Sequence, residues 1–234
     1  MDLTVVIPTY NEAENIPILV ERIFKVFHEH SLDGEVIIVD DNSPDGTWEV
    51  ARQLKGTHNL GVLRRVDKRG LSSAVLDGFQ MAKGKIIGAM DADLSHPPEK
   101  IPELIRPIMI GESDLVIGSR YIKGGNTENC SFRRKVSSKI ATLAVTGLTN
   151  IKDPMSGFFF LRKDVIEGVE ISPKGFKIGL EILVKGKYKN VSEVPILFKD
   201  RKYGKSKLSI GVILEDSLHI AKLYLHSLRR SLTV

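Results

Sequence analysis

The feature that most restricts how this chain can fold is the alternation of short apolar runs with stretches of helical periodicity. The runs are LTVVIP (3–8), EVIIVD (35–40), GVLRR (61–65), KIIGAMD (85–91) and DLVIGSR (114–120). They are rich in β-branched residues and lack the in–out alternation of a strand with one wet face. Between them Ile16, Leu19, Val20, Ile23 and Phe27 recur at the spacing of one helix face. Thr47–Leu54, Leu71–Ala82 and Pro98–Ile110 predict further helices, the last opened by prolines that a first turn tolerates. Apolar strands separated by helices point to an α/β fold, a largely parallel sheet covered on both faces.

The second half is less regular. It predicts a helix around Lys135–Leu148, a strand at Gly157–Arg162, a helix at Gly175–Lys187 and a strand at Val191–Phe198. A basic loop, KDRKYGKSKL, follows, and then a final helix from about Leu208 to Leu228. No repeat, low-complexity tract or linker divides the 234 residues, so one domain, 1–234, is the economical reading.

With 42% hydrophobic and 27% charged residues the composition is that of a soluble globular protein. The single Cys130 excludes an internal disulfide framework, suits a reducing compartment and reads as a spectator thiol. MDLTVVIPTYNE breaks with Pro8 and charge too soon for a signal peptide. Ile140–Ile151, the nearest approach to a membrane span, is too short to cross a bilayer. A net charge of +5 points to an anionic partner: nucleic acid, a phosphorylated substrate or a lipid surface.

Ligands of an open parallel sheet bind beyond the carboxyl ends of its strands. PTYNE follows the first run, DDNSPD the second, DADLSHPPE the fourth and GSRYIKGG the fifth. Any one cluster could be ordinary strand-end polarity, with Ser43 and Asp45 serving as caps. Together they point to a shared site for a cation or polar ligand. In an extended chain residues i and i+2 share a face, so Asp91 and Asp93 are expected to point together. Such a pair suits a hard cation, Mg²⁺ or Mn²⁺, which can neutralise a departing diphosphate. A lone D-x-D is nonetheless common by chance.

Other chemistries lack their signatures. There is no G-x-G-x-x-G after the first run, no G-x-x-x-x-G-K-[ST] and no G-x-S-x-G. The six histidines lack metal-site spacing, and His96, beside the carboxylates, reads as a turn residue and not as a base. SFRRKVSSK and KDRKYGKSK are either solvated surface or phosphate-binding stretches, since Arg grips phosphate bidentately and Gly204 lets a loop close. They lack the interleaved aromatics of a single-strand platform, which argues against nucleic acid.

Taken in order, VVIPTYNEAENI, VDDNSPDGTW, KRGLSSAVLDGF, MDADLSHPPEKIP, IGSRYIKGG, DPMSGFFFLRKDV, GFKIGLEIL and GKSKL resemble the polyprenyl-phosphate mannosyltransferases. These are the dolichyl-phosphate mannose synthases among the inverting family 2 glycosyltransferases. The resemblance runs from about residue 3 to 210. PTYNE and D-x-D recur throughout family 2, whereas GLSSAV, DADLSHPPE and GKSKL are narrower.

The resemblance implies a GT-A fold, with a Rossmann-like mostly parallel sheet. It divides the chain into a donor-binding half (about 1–120), an acceptor-binding half (about 121–210) and a C-terminal helix (about 208–228). It further implies that Pro8, Tyr10, Glu12, Val39 and Asp41 hold the nucleotide of GDP-mannose, and that Asp91, Ala92 and Asp93 meet metal and diphosphate. Ser95 stands where some relatives carry Gln, and joins Asp91 and Asp93 as a metal position, its shorter hydroxyl acting through water or not at all. Lys177, Arg201 and Lys207 are implied donor-site cations. Arg120 serves both diphosphate and acceptor phosphate, and Arg134 and Ser138 the acceptor phosphate. Catalysis then rests on Asp91, Asp93 and Arg120. The stretch from Ser138 to Asp153 is a few residues shorter than in such relatives, which alters the lipid groove.

The implied activity is metal-dependent, inverting transfer of mannose from GDP-mannose to dolichyl or polyprenyl phosphate. Two alternatives stay open: a glucosyltransferase using UDP-glucose and the same lipid, and a non-catalytic subunit that binds sugar nucleotide or lipid phosphate. On the last helix Ile210, Ile213, Leu214, Ser217, Leu218 and Ala221 lie along one side and are expected to pack against the core. Peripheral attachment to the anionic cytoplasmic face of a membrane is the other reading, compatible with a membrane-protein partner.

Overall fold

The computed structural model describes residues 1–128, 142–171, 177–199 and 210–232, with side chains in the last stretch from 217 to 228. The first half runs β1 (Leu3–Thr9), α1 (Ile16–Glu29), β2 (Gly34–Asp40), α2 (Thr47–Leu54), β3 (Leu60–Arg64), α3 (Leu71–Met81) and β4 (Ile86–Ala89). A 3-10 turn (Pro98–Lys100) then leads into α4 (Ile101–Met109), β5 (Leu115–Ser119) and β6 (Asn126–Glu128). Beyond come β7 (Phe159–Arg162), α5 (Ile178–Lys185), β8 (Val191–Pro195), β9 (Leu197–Lys199) and α6 (Ile210–Leu232).

Seven strands form the main sheet in the order β3-β2-β1-β4-β7-β5-β8. All neighbours are parallel except β7, which runs antiparallel between β4 and β5. Alternate residues explain why the strands are apolar throughout. Val5 and Ile7 join the core under α1 and α4, while Val6 joins the core under α3 and α5. Phe158 and Phe160 divide from Phe159 in the same way. Gly78 lets α3 lie close on the sheet, since a Cβ there would come within 2.4 Å of Val6.

Three expectations need correction, and one strand was not foreseen. The strand foreseen at Val191–Phe198 is two strands: Ile196 turns into the core, and β9 leaves the main sheet to pair in parallel with β6. β6 is only NTE, too short and polar to be read from periodicity. The helix foreseen to Leu148 has given way to a turn over 144–148, where Thr146 and Gly147 are weak helix formers; its residues up to 141 lie outside the described ones.

Finally, α6 packs through a different side than expected. Leu218 is 65% exposed and Ala221 is exposed too, whereas Leu223 is buried against Val145, Met155 and Leu180. Apolar residues surround this helix, so periodicity does not choose its face. The Tyr224 hydroxyl, which donates to the Ala144 carbonyl at 3.0 Å, helps to set it. Ile210, Ile213 and Leu214 are not among the described side chains. Among the described residues, no helix is long and apolar enough to cross a membrane.

Candidate active site

The polar loops gather beyond the carboxyl ends of β1, β2, β4 and β5. Asn11 (φ 60°), Asn42 (φ 56°) and Leu94 (φ 62°), which follow β1, β2 and β4, all adopt left-handed backbone. Asn tolerates that conformation through local hydrogen bonding, whereas a leucine there is strained. Strain of this kind collects at functional sites.

The loops after β1 and β2 interlock. The backbone N–H of Asn11 donates to Ser43 Oγ (3.0 Å), that of Glu12 to Thr47 Oγ1 (2.9 Å) and that of Ala13 to Asp45 Oδ2 (3.1 Å). Asp45 Oδ1 also accepts the Thr47 N–H in a local turn, but Gly46 is the N-cap of α2 and no side chain caps the helix, while Ser43 bonds to Asp40, so neither Ser43 nor Asp45 is the cap that the sequence suggests. Glu12 accepts from Asn15 Nδ2 at 2.7 Å. Asp41 is held by Arg65 and by the Gly70 N–H, and the Arg69 guanidinium lies 5.2 Å from the centre of the Tyr10 ring. Val39 and Ala92 are core residues, so the site can use only their backbone.

β4 stops at Ala89, two residues before Asp91, and residues 92–94 are bent. The alternation of a strand therefore does not set the two carboxylates. Asp93 is buried and its Oδ1 accepts from Ser95 Oγ (2.5 Å) and the Ser95 N–H (3.2 Å). Asp91 is more open, with its side chain 36% exposed and one oxygen 3.9 Å from His96 Nδ1. Gly157 makes room for it: a Cβ there would stand 3.1 Å from both Asp91 oxygens.

His96 is buried, stacked on Phe158 with centroids 5.1 Å apart and edge-on to Phe198 at 5.4 Å. Its Nδ1 accepts the Asp91 N–H at 3.3 Å. Burial lowers its pKa from the ordinary value, against the opposing pull of Asp91 and Asp93. A neutral, enclosed ring of this kind organises the turn.

Asp91 opens onto a small pocket that is also lined by Pro8, Leu71, Met155, Gly157 and Lys177. Lys177 immediately precedes α5. Arg120 packs on the same Phe198 ring as His96, at 5.4 Å, and its fork is taken by Asp153 through Nε and Nη2, each at 2.7 Å. Burial acts to lower the Arg120 pKa, but the bonds and charge of Asp153 outweigh it, and the net shift is upward.

The Lys199 N–H donates to the Ser95 carbonyl at 3.1 Å, tying β9 to this turn. Because β6 and β9 run in parallel with Glu128 opposite Lys199, the chain leaves both strands at adjacent ends. The segments they lead into contain Arg134, Ser138, Arg201, Lys207, Gly204 and Cys130, all of which lie outside the described residues.

Pro8, Asp91 and Lys177 thus meet in one pocket. Tyr10, Glu12 and Asp41 lie on the neighbouring loops, and Asp93, Ser95 and Arg120 sit around the turn after β4. Arg65, Asp153, Gly157 and Phe198 were not singled out from sequence. Asp153 had a signal, standing before turn residues and Phe158, Phe159 and Phe160, which marks a buried loop.

Asp91 and Asp93 offer hard oxygen donors, and the missing Cβ at Gly157 leaves space beside Asp91. Ser95 is 1% exposed with its hydroxyl committed to Asp93. Among the described residues no group of three or more His, Cys, Asp or Glu could hold a metal. Two carboxylates with substrate phosphates and water completing the shell are the ordinary arrangement for Mg²⁺. The donor set fits.

Comparison with known proteins adds the following. The model of glycosyl transferase family 2 matches residues 4–169. A dolichol-phosphate mannosyltransferase of Pyrococcus furiosus is 51% identical over 227 residues, covering 95% of this chain and 64% of its own. The chain thus spans somewhat less than two thirds of that relative. A dolichol-phosphate mannosyltransferase of Saccharomyces cerevisiae is 39% identical, covering 96% of this chain and 87% of its own. Among solved structures, glucosyl-3-phosphoglycerate synthase of Mycobacterium tuberculosis, crystallised with Mn²⁺, uridine diphosphate and phosphoglyceric acid, superposes with a TM-score of 0.69. It is 17% identical, covering 97% of this chain and 78% of its own, and so speaks for the GT-A fold alone.

Proposed function

The chain belongs to glycosyl transferase family 2, and from that membership we propose that it transfers mannose from GDP-mannose to a dolichyl or other polyprenyl phosphate. The named relatives favour this reading over transfer from UDP-glucose and over a non-catalytic subunit. The observation that carries it is the meeting of Pro8, Asp91 and Lys177, distant in sequence, around one pocket at the strand ends.

In this reading the donor half, about 1–120, holds the nucleotide through Pro8, Tyr10, Glu12, Asp41 and the backbone of Val39. The backbone of Ala92 and the cations Lys177, Arg201 and Lys207 serve the diphosphate. Asp91 and Asp93 hold a divalent cation, Mg²⁺ or Mn²⁺, with Ser95 supporting Asp93. When bound, such a cation supplies charge neutralisation for the departing diphosphate. In the acceptor half, about 121–210, Arg134 and Ser138 grip the lipid phosphate together with Arg120. Asp153 holds Arg120 by Nε and Nη2, and among the described residues no hydrogen bond takes Nη1, the atom assigned here to a phosphate oxygen.

The acceptor needs no general base. A phosphate monoester has a second pKa near ~6, so its oxygen is already anionic at neutral pH. That oxygen forms a bond to the anomeric carbon while the bond to GDP breaks, and GDP leaves with the electron pair. No proton moves, which agrees with a His96 enclosed between aromatic rings. Displacement in line inverts the sugar, converting an α-linked donor into a β-linked lipid product. The basic composition suits an anionic substrate at the cytoplasmic face of a membrane, with the protein attached peripherally and with room for a membrane-protein partner.

The direct test is incubation of the purified protein with radiolabelled GDP-mannose, a short polyprenyl phosphate and Mn²⁺. Label should pass into the lipid phase only when all three are present. Label that stays wholly in the aqueous phase overturns the proposal.

A further inference from the structure

The most completely engaged side chain near the donor loops is one to which the reading above gives no role. Arg65, immediately after β3, has its side chain 1% exposed. Its Nε donates to Asp41 Oδ1 at 2.7 Å, its Nη1 to Ser73 Oγ at 2.8 Å and Asp77 Oδ2 at 3.0 Å, and its Nη2 to the Gly70 carbonyl at 2.9 Å. Gly70 in turn donates its N–H to Asp41 Oδ2 at 2.8 Å, closing a ring of hydrogen bonds. The loop 65–70 is therefore wrapped around its own first side chain. Gly70 can close it because its φ of 133° suits glycine. Lys68 braces the outside by pairing with Asp77 at 2.8 Å.

We infer that Arg65 is a positioning residue for the nucleoside end of the donor: it fixes the Asp41 carboxylate, cancels its charge and holds the 65–70 loop so that Arg69 lies over Tyr10. The inference rests on the donor-site reading, in which Tyr10 and Asp41 face the nucleotide. Arg65 touches no part of the substrate itself. Its fork cannot be copied by lysine, which can satisfy Asp41 or Asp77 but lacks the planar geometry to bind both and Gly70 as well. A separate group of residues, around Asp91, serves the diphosphate, so the two ends of the ligand should respond differently.

Calorimetric titration of the full chain in Mn²⁺, with GDP, UDP and inorganic pyrophosphate as probes, tests this. Arg65→Lys should weaken GDP at least tenfold while pyrophosphate binding stays within twofold. Asp77→Asn, which removes the far anchor at lower structural risk, should weaken GDP about threefold with pyrophosphate again unchanged, and it decides the matter if Arg65→Lys does not fold. A purely structural role would lower the melting temperature and move both ligands together or neither. Unchanged GDP affinity in both variants, or equal losses for GDP and pyrophosphate, overturns the inference alone. Wild-type protein that binds neither nucleotide overturns the donor-site reading, and the inference with it.

Discussion

Asp153 accepts three hydrogen bonds from Arg120, from the backbone N–H at 2.9 Å and from Nε and Nη2 at 2.7 Å each. Asp153 is itself fully buried and kept in place by Glu193, which accepts the N–H groups of Lys152 and Asp153. The pair therefore fixes where the Arg120 charge can act. Removing the carboxylate leaves a largely buried guanidinium without compensation, a loss of about 3–5 kcal/mol where such pairs are broken. Asp153→Ala should lower the unfolding free energy in urea by that order. Arg120→Lys should fold normally and lose transfer at least tenfold, because the fork geometry is gone.

Gly157 offers a test of the pocket that spares the carboxylates themselves. A methyl group there would press on both oxygens of Asp91 at 3.1 Å. Asp91 would have to shift slightly to relieve that contact, and small misplacements of groups at a reacting centre slow the chemistry. Gly157→Ala should lower kcat, with the midpoint of thermal unfolding nearly unchanged.

The divalent-cation reading predicts that Asp93→Ala abolishes transfer while circular dichroism stays that of the wild type. Excess EDTA should do the same to the wild type, and added Mn²⁺ or Mg²⁺ should restore activity only there. Metal assistance of this kind is worth several kcal/mol, enough to remove measurable turnover. Full activity in the chelator would contradict it.

Asp77 carries the pH signature of the same loop that Arg65 organises. Burial acts to raise its pKa, but hydrogen bonds and charge from Lys68 and Arg65 prevail, and the net shift is downward from 3.8. A carboxylate depressed in the folded state stabilises the protein fully above its unfolded value, and that contribution is lost as pH falls through the folded one. The stability difference between wild type and Asp77→Asn should accordingly be constant near neutrality and shrink below about pH 4. A difference that grows on acidification would show that Asp77 is not held by its cations.

Much of this architecture is legible because continuous apolar strands alternating with helices are a strong signal. Val5, Val6 and Ile7 could be placed in a two-faced sheet from their continuity alone, and Thr47–Leu54 is helical over the residues expected. What escaped is governed by contacts remote in sequence. β9 leaves the main sheet because Ile196 enters the core, and no local pattern announces that. The face of α6 depends on Tyr224 meeting Ala144, 80 residues away. In the site, the resemblance named Pro8, Asp91 and Lys177, which line one pocket, but it could not show that Ser95 is spent on Asp93, nor that Arg65 lies behind Asp41. Such residues act through other side chains, and a linear sequence does not display that relation.

One measurement bears most directly on the function. Equal concentrations of differently labelled GDP-mannose, UDP-glucose and UDP-N-acetylglucosamine compete in one reaction for a short polyprenyl phosphate, and the lipid product is analysed for sugar and anomeric configuration by NMR. The account predicts a mannosyl phospholipid with a β linkage as the dominant product. Glucose or N-acetylglucosamine in the lipid would contradict the proposed donor, and an α-linked mannose would contradict direct displacement by the acceptor phosphate.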